Sequence, residues 1–281
     1  MDRAIRIGTS GWSYPKGEGT WNGYFYPAGE KVDELTYYAR FFNTVEINST
    51  FYRPPEPRTA LSWANRVPED FLFTVKLWQK FTHPAMFQKA TGEVAAVSHD
   101  DVKLFLSGIE PLVADGKLGA ILAQFPPSFT NTKHGKTMLR ALAYHFGKYR
   151  LAVELRHKSW SDDPDTAIIL QENHTAWVQI DEPKFTFSLA ANVPQTSDLA
   201  YFRFHGRNKE MWWKGDVETR YCYLYSQEEI AELREKVVLS AAKSLQTFVF
   251  FNNHWKAYAP RNAVDMMKTL GQAEGQMPLF T

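Results

Sequence analysis

The chain has 281 residues, 44% of them hydrophobic, and a formal net charge of +1. That length can bury a large core, while the near-zero charge excludes a global field drawing in nucleic acid or an anionic membrane, so any such binding needs a local patch. The single cysteine, Cys222, excludes an intrachain disulfide and a multi-cysteine metal site; with no apolar signal segment and no run near the roughly 20 residues of a membrane span, a cytoplasmic protein is expected.

Residues 5–8 read as a first strand, followed by an aromatic, glycine-rich loop that carries Ser10 and Trp12. Asp33 is placed to cap a helix whose apolar face is Leu35, Tyr38, Ala39 and Phe42. The second strand, 44–48, leads through Pro54, Pro55 and Pro57 to a helix over 58–65, and the third strand, 71–76, ends in a loop with Trp78, Lys80, Thr82 and His83. A helix over 100–113 stops at Gly116, and the fourth strand, 118–124, is closed by Phe125, Pro126 and Pro127. A helix over 136–146, a fifth strand over 151–155, a helix reaching about 172 and a sixth strand over 175–180 follow. The seventh strand, 199–204, is separated by a helix over 227–245 from the eighth, 248–251, and a last helix covers 262–270.

Eight strands thus alternate with helices, and most are nearly continuous apolar runs, the pattern of parallel strands covered on both faces. The expected fold is α/β: a single (β/α)8 TIM-type barrel over 1–270 with a short flexible C-terminal tail over 271–281. Neither a Gly-x-Gly-x-x-Gly after the first strand nor a Walker-type loop is present. In such a barrel the C-terminal strand ends form the functional mouth. Here they offer Trp12, Glu46 and Asn48, Lys76, Gln124, Glu154 with Arg156 and His157, Asp181, Arg203 with His205 and Arg207, then Asn252 and Asn253. Charges inside apolar runs are costly unless paired or used, which singles out Glu46, Lys76, Glu154 and Arg203.

Several of these phrases resemble one family. Gly8-Thr9-Ser10-Gly11-Trp12-Ser13-Tyr14, Phe42 to Asn48, Gln124 to Phe129, Glu154-Leu155-Arg156-His157, Arg203 to Arg207 and Asn252-Asn253 look like the YecE-like proteins, domain of unknown function 72, in order along nearly the whole chain. The resemblance implies a TIM-type barrel, similar in overall shape to the endonuclease IV type for some members, and implies no activity.

On their own chemistry, Lys76, Arg156, His157, Arg203 and Arg207 form a candidate cationic concavity for a phosphate-bearing small molecule or nucleic acid. Glu46, Glu154, Asp181 and His205 are candidate acid/base or orienting groups, with Trp12, Asn252 and Asn253 as further ligand contacts. A phosphoester hydrolase linked to DNA repair is the leading enzymatic expectation. The competing reading is internal pairing of these carboxylates with Lys76 and the arginines. A divalent metal held by His83, His157, His205, Glu46, Glu154 and Asp181 is a weaker expectation, because nearby cations would repel it. A glycosidase would need Glu46 and Glu154 to flank one bond, yet the large retaining-barrel group uses strands four and seven, where Gln124 and Arg203 stand. A sugar or sugar-phosphate enzyme is therefore the alternative. Finally, Gln276, Leu279 and Phe280 resemble, in outline, the short peptide with which polymerases and repair proteins dock on the sliding clamp, so a clamp-associated adaptor is a further expectation.

Overall fold

The structure, a computed structural model, describes residues 4–216 and 219–272. Its strands are β1 (Ala4–Thr9), β2 (Thr44–Ile47), β3 (Leu72–Lys76), β4 (Leu118–Gln124), β5 (Leu151–Glu154), β6 (Ala176–Trp177), β7 (Gln179–Asp181), β8 (Leu199–Phe204) and β9 (Gln246–Phe251). Its helices are α1 (Glu34–Tyr38), α2 (Pro57–Ala64), α3 (Gln79–Thr82), α4 (Pro84–Thr91), α5 (His99–Ala114), α6 (Lys133–Phe146), α7 (Lys158–Ser161), α8 (Asp165–Glu172), α9 (Gln227–Ala241) and α10 (Tyr258–Thr269). This is an α/β fold with two parallel sheets, ordered β1-β9-β8-β7 and β2-β3-β4-β5-β6. By contacts the described residues divide into two compact units, the first up to 46 with 179–185 and from 200 onward, the second 47–178 with 186–199.

In the first unit β1 lies parallel to β9 over its full length, from Ala4 opposite Gln246 to Thr9 opposite Phe251. The strands are apolar because both faces are covered: Tyr201, Phe202, Phe248, Phe250 and Phe251 are all buried. Gly8 lets the chain pass Thr44 closely, since a Cβ there would lie 2.2 Å from the Thr44 carbonyl oxygen. Two residues further on, Ser10 forms a parallel bridge to Glu46, and Gly11 N–H donates to the Glu46 carbonyl at 2.9 Å. Helix α1 starts as expected, with Asp33 accepting from Thr36 N–H at 3.0 Å, but it ends at Tyr38 rather than 42, where Phe41 turns back to Tyr38 in a tighter i−3 bond.

The second unit has its core in Phe73, Val75, Ala120, Ile121, Leu122 and Val153, all buried. Helix α5 opens with a capping box between Ser98 and Asp101, and α6 begins at 133 rather than 136 because Thr132 caps it by accepting from Gly135 N–H. The expected sixth strand is two short ones. β6 pairs with β5, and after Val178, whose N–H goes to Val153 O, β7 pairs with β8. No described helix is long and apolar enough to cross a membrane.

Candidate functional site

In the first unit the strand ends are tied in sequence. Ser10 N–H donates to Phe251 O at 3.0 Å, Asn252 N–H to Phe204 O at 2.7 Å, and His205 N–H to Asp181 O at 2.8 Å. Tyr201 and Arg203 share one face of β8 because strand side chains alternate with period two. Both reach Glu46: Arg203 donates from Nε at 2.9 Å and from Nη2 at 2.7 Å, one bond to each carboxylate oxygen, and Tyr201 OH adds a third at 2.7 Å. Glu46 is 0% and Arg203 2% exposed. This bidentate, desolvated pair satisfies a charge that the apolar strand could not otherwise hold.

A second network lies on Asp181. Arg207 grips it at 2.9 and 2.8 Å and extends to Glu229 at 3.0 Å and Glu232 at 3.2 Å. The Asp181 hydrogen bonds raise the Arg207 pKa above its already high value. Tyr225 OH donates to Asp181 at 2.8 Å and accepts from Gly206 N–H at 2.8 Å; burial and then the Asp181 charge raise its pKa. His205 is fully buried, with Nδ1 2.9 Å from Asn252 Nδ2. Asn253 is buried, and its amide donates to Tyr223 O at 2.8 Å and to Asn262 Oδ1 at 2.9 Å, holding the 223–225 segment. The Trp12 carbonyl accepts from Tyr26 OH.

In the second unit, Gln124 and Glu154 stand side by side in register at the ends of β4 and β5. Glu154 is 0% exposed and takes Arg156 on one oxygen, from Nε at 2.7 Å and Nη2 at 2.6 Å. Lys76, at the end of β3, places its ammonium 4.2 Å from the centre of the Phe51 ring, and Thr50 holds the Lys76 carbonyl at 2.7 Å. The same Phe51 ring meets His83 edge-on at 4.9 Å. Burial, then the charges of Lys76 and Arg156, lower the His83 pKa to about 3 against the opposing pull of Glu154. His83 joins α3 to α4 and has Nδ1 2.8 Å from Thr82 Oγ1. His157 turns instead to Ser159, Nδ1 to Oγ 2.9 Å, and caps α7.

Three of the arginines expected to form a cationic concavity are therefore engaged by carboxylates: Arg203 by Glu46, Arg207 by Asp181, Glu229 and Glu232, and Arg156 by Glu154. No group of three His, Cys, Asp or Glu among the described residues could hold a metal ion. Gln276, Leu279 and Phe280 lie outside the described residues.

Residues 6–280 match the family described as "Protein of unknown function DUF72". The chain belongs to the DUF72 family. Its relatives include the UPF0759 protein YunF of Bacillus subtilis, 29% identical over 98% of this chain and all of that protein. The UPF0759 protein YecE of Escherichia coli K12 is 32% identical over 54% of this chain and 48% of its own length. Among solved structures, a DUF72 family protein from Thermotoga maritima is 38% identical with a TM-score of 0.82, covering 95% of this chain and 99% of that one. One from Enterococcus faecalis is 29% identical with a TM-score of 0.83, covering 97% of each. The family resemblance read from the motifs holds.

For this DUF72 chain, sequence reasoning missed two participants. Tyr201 is the third donor to Glu46, and its signal was its place two residues before Arg203 on one strand. Phe51, shared by Lys76 and His83, gave no signal beyond its place just after the second strand.

Proposed function

We propose that this chain binds a small phosphate-bearing ligand at the ends of β3 and β5, held by Lys76 and Arg156. The observation that carries this reading is the surroundings of His83. Lys76 and Arg156 each lower its affinity for a proton by more than Glu154 raises it, and the Lys76 ammonium lies 4.2 Å from the centre of the Phe51 ring that His83 meets edge-on. An anion is the ligand that such cations attract, with Lys76 as a point-charge donor and Arg156, whose Nε and Nη2 are on Glu154, adding its charge. The reading is one of binding. A general base works best with a pKa near the working pH, and His83 is far below it. We also propose that the fold is the eight-unit barrel expected from the sequence, supported by the parallel pairing of neighbouring strands and the strand–helix alternation.

The test is thermal unfolding in inorganic phosphate against chloride at matched ionic strength. The wild type is expected to gain stability with phosphate concentration, as any ligand selective for the folded state requires, and Lys76→Met to gain none. No gain in the wild type, or an equal gain in the variant, refutes the proposal.

A second reading, a nucleic-acid backbone as the ligand, is favoured by one further feature of the same unit. A cleft of about 280 Å³ just after β2 is lined by Ser49, Thr50, Arg53 and Arg58, the last already paired with Glu56 at 2.6 Å. It predicts oligonucleotide affinity that falls linearly on a log–log plot against salt, with a shallower slope in Arg53→Ala. Affinity insensitive to salt excludes it.

A further inference from the structure

Beside His83 lies a pocket of about 420 Å³, within the roughly 300–1,000 Å³ range of small-ligand sites. Its walls come from the start of α4 and from the segment between β4 and the first turns of α6, and they include His83, Met86, Phe129 and Met138. Two side chains link the pocket to the end of β3: the Lys76 ammonium lies over the Phe51 ring at 4.2 Å, Phe51 meets His83 edge-on at 4.9 Å, and His83 lines the pocket.

The chemistry of the walls selects what fits. Phe129 is already stacked against two rings, Phe125 at 3.9 Å and Trp160 at 5.1 Å. A flat aromatic or nucleobase therefore gains little there beyond edge contact. Hydrogen-bonding capacity is partly taken as well: Thr82 Oγ1 contacts His83 Nδ1, and Thr132 Oγ1 accepts from Gly135 N–H. Met86 and Met138 supply flexible, polarizable surface that moulds to irregular aliphatic shapes.

We propose that this pocket takes the uncharged, mainly aliphatic body of a phosphomonoester whose phosphate is held by Lys76 and Arg156. The inference rests on the anion site proposed above and deepens it: the ligand is an alkyl phosphate in kind rather than free phosphate or a polynucleotide. His83 is the dividing wall, contacting the body on one side and facing the cations on the other.

Isothermal titration of the full chain with inorganic phosphate, methyl phosphate and hexyl phosphate tests it. Each methylene buried is worth about a fourfold gain in affinity. Hexyl phosphate is therefore expected to bind at least about tenfold more tightly than methyl phosphate, allowing for incomplete burial of the chain. Ala85 is exposed and lines the pocket on α4, so Ala85→Phe fills the space without touching the core. That variant is expected to keep methyl phosphate affinity within about threefold of wild type and to lose the hexyl gain. Lys76→Met is expected to weaken all three ligands. If methyl phosphate binds and the hexyl chain adds nothing, or if its gain survives Ala85→Phe, the pocket inference falls and the anion site stands. If none of the three binds, both fall.

Discussion

Arg203→Met is the sharpest perturbation of the buried charge network. The substitution keeps an unbranched apolar stem of similar reach but removes the two guanidinium hydrogen bonds into Glu46, at 2.9 and 2.7 Å, and leaves that from Tyr201 OH at 2.7 Å. Glu46 is 0% exposed, so water cannot take the place of the guanidinium. Breaking a buried pair in this way costs about 3–5 kcal/mol. Unfolding entropy of about 2.1 cal/mol/K per residue makes that a fall in Tm of about 5–8 °C for a chain of this length. Calorimetry at pH 7.5 is the assay, with Glu46→Gln/Arg203→Met as its partner. The double variant no longer buries an unpaired charge and is expected to recover at least half of the loss. A single-variant cost below about 1 kcal/mol, the value of an exposed pair, would refute the claim that Glu46 depends on Arg203.

Three other outcomes are expected. The His83 imidazole protonates near 6.5 in the unfolded chain and at about 3 in the folded one, so between these values the unfolded state binds the extra proton and stability falls as pH falls. From pH 7.5 to pH 5 the loss is about 2 kcal/mol; His83→Gln is expected to flatten that part of the urea-denaturation profile, and an unchanged slope would count against the assignment. Tyr225→Phe removes a donor to Asp181 and an acceptor for Gly206 N–H, and is expected to cost about 1–3 kcal/mol in the same measurement. Gly206 adopts φ +89°, and a Cβ there would lie 2.7 Å from the Tyr223 Cβ, so Gly206→Ala is expected to destabilise by more than about 1 kcal/mol and to alter near-ultraviolet circular dichroism from the tyrosines.

Much of the local structure was legible in the chain. Apolar runs marked the parallel strands, and Asp33, Ser98 and Ser226 mark helix starts by a mechanism local to each. The candidate charges were legible too, since Glu46, Glu154 and Arg203 interrupt buried strands where an ion needs a partner. Which partner was not. Glu46 and Arg203 are 157 positions apart, and pattern in the sequence carries no record of so distant a pairing. Arg156 by contrast pairs two residues back, with Glu154, an instance of the internal pairing of carboxylates with arginines that was the competing reading. The split of the sixth strand escaped for the same reason, because the bond from Val178 N–H to Val153 O belongs to a register set by tertiary packing. The α4 pocket escaped because its walls, Met86, Phe129 and Met138, read singly as ordinary core or surface residues.

The most direct test of the proposed anion site is an NMR titration of the His83 ring nitrogens from pH 3 to pH 8. A midpoint far below 6.5 is expected, rising in Lys76→Met as one cation is removed, and rising again when phosphate binds to the wild type. A midpoint near 6.5, or one indifferent to both Lys76 and phosphate, would contradict the account.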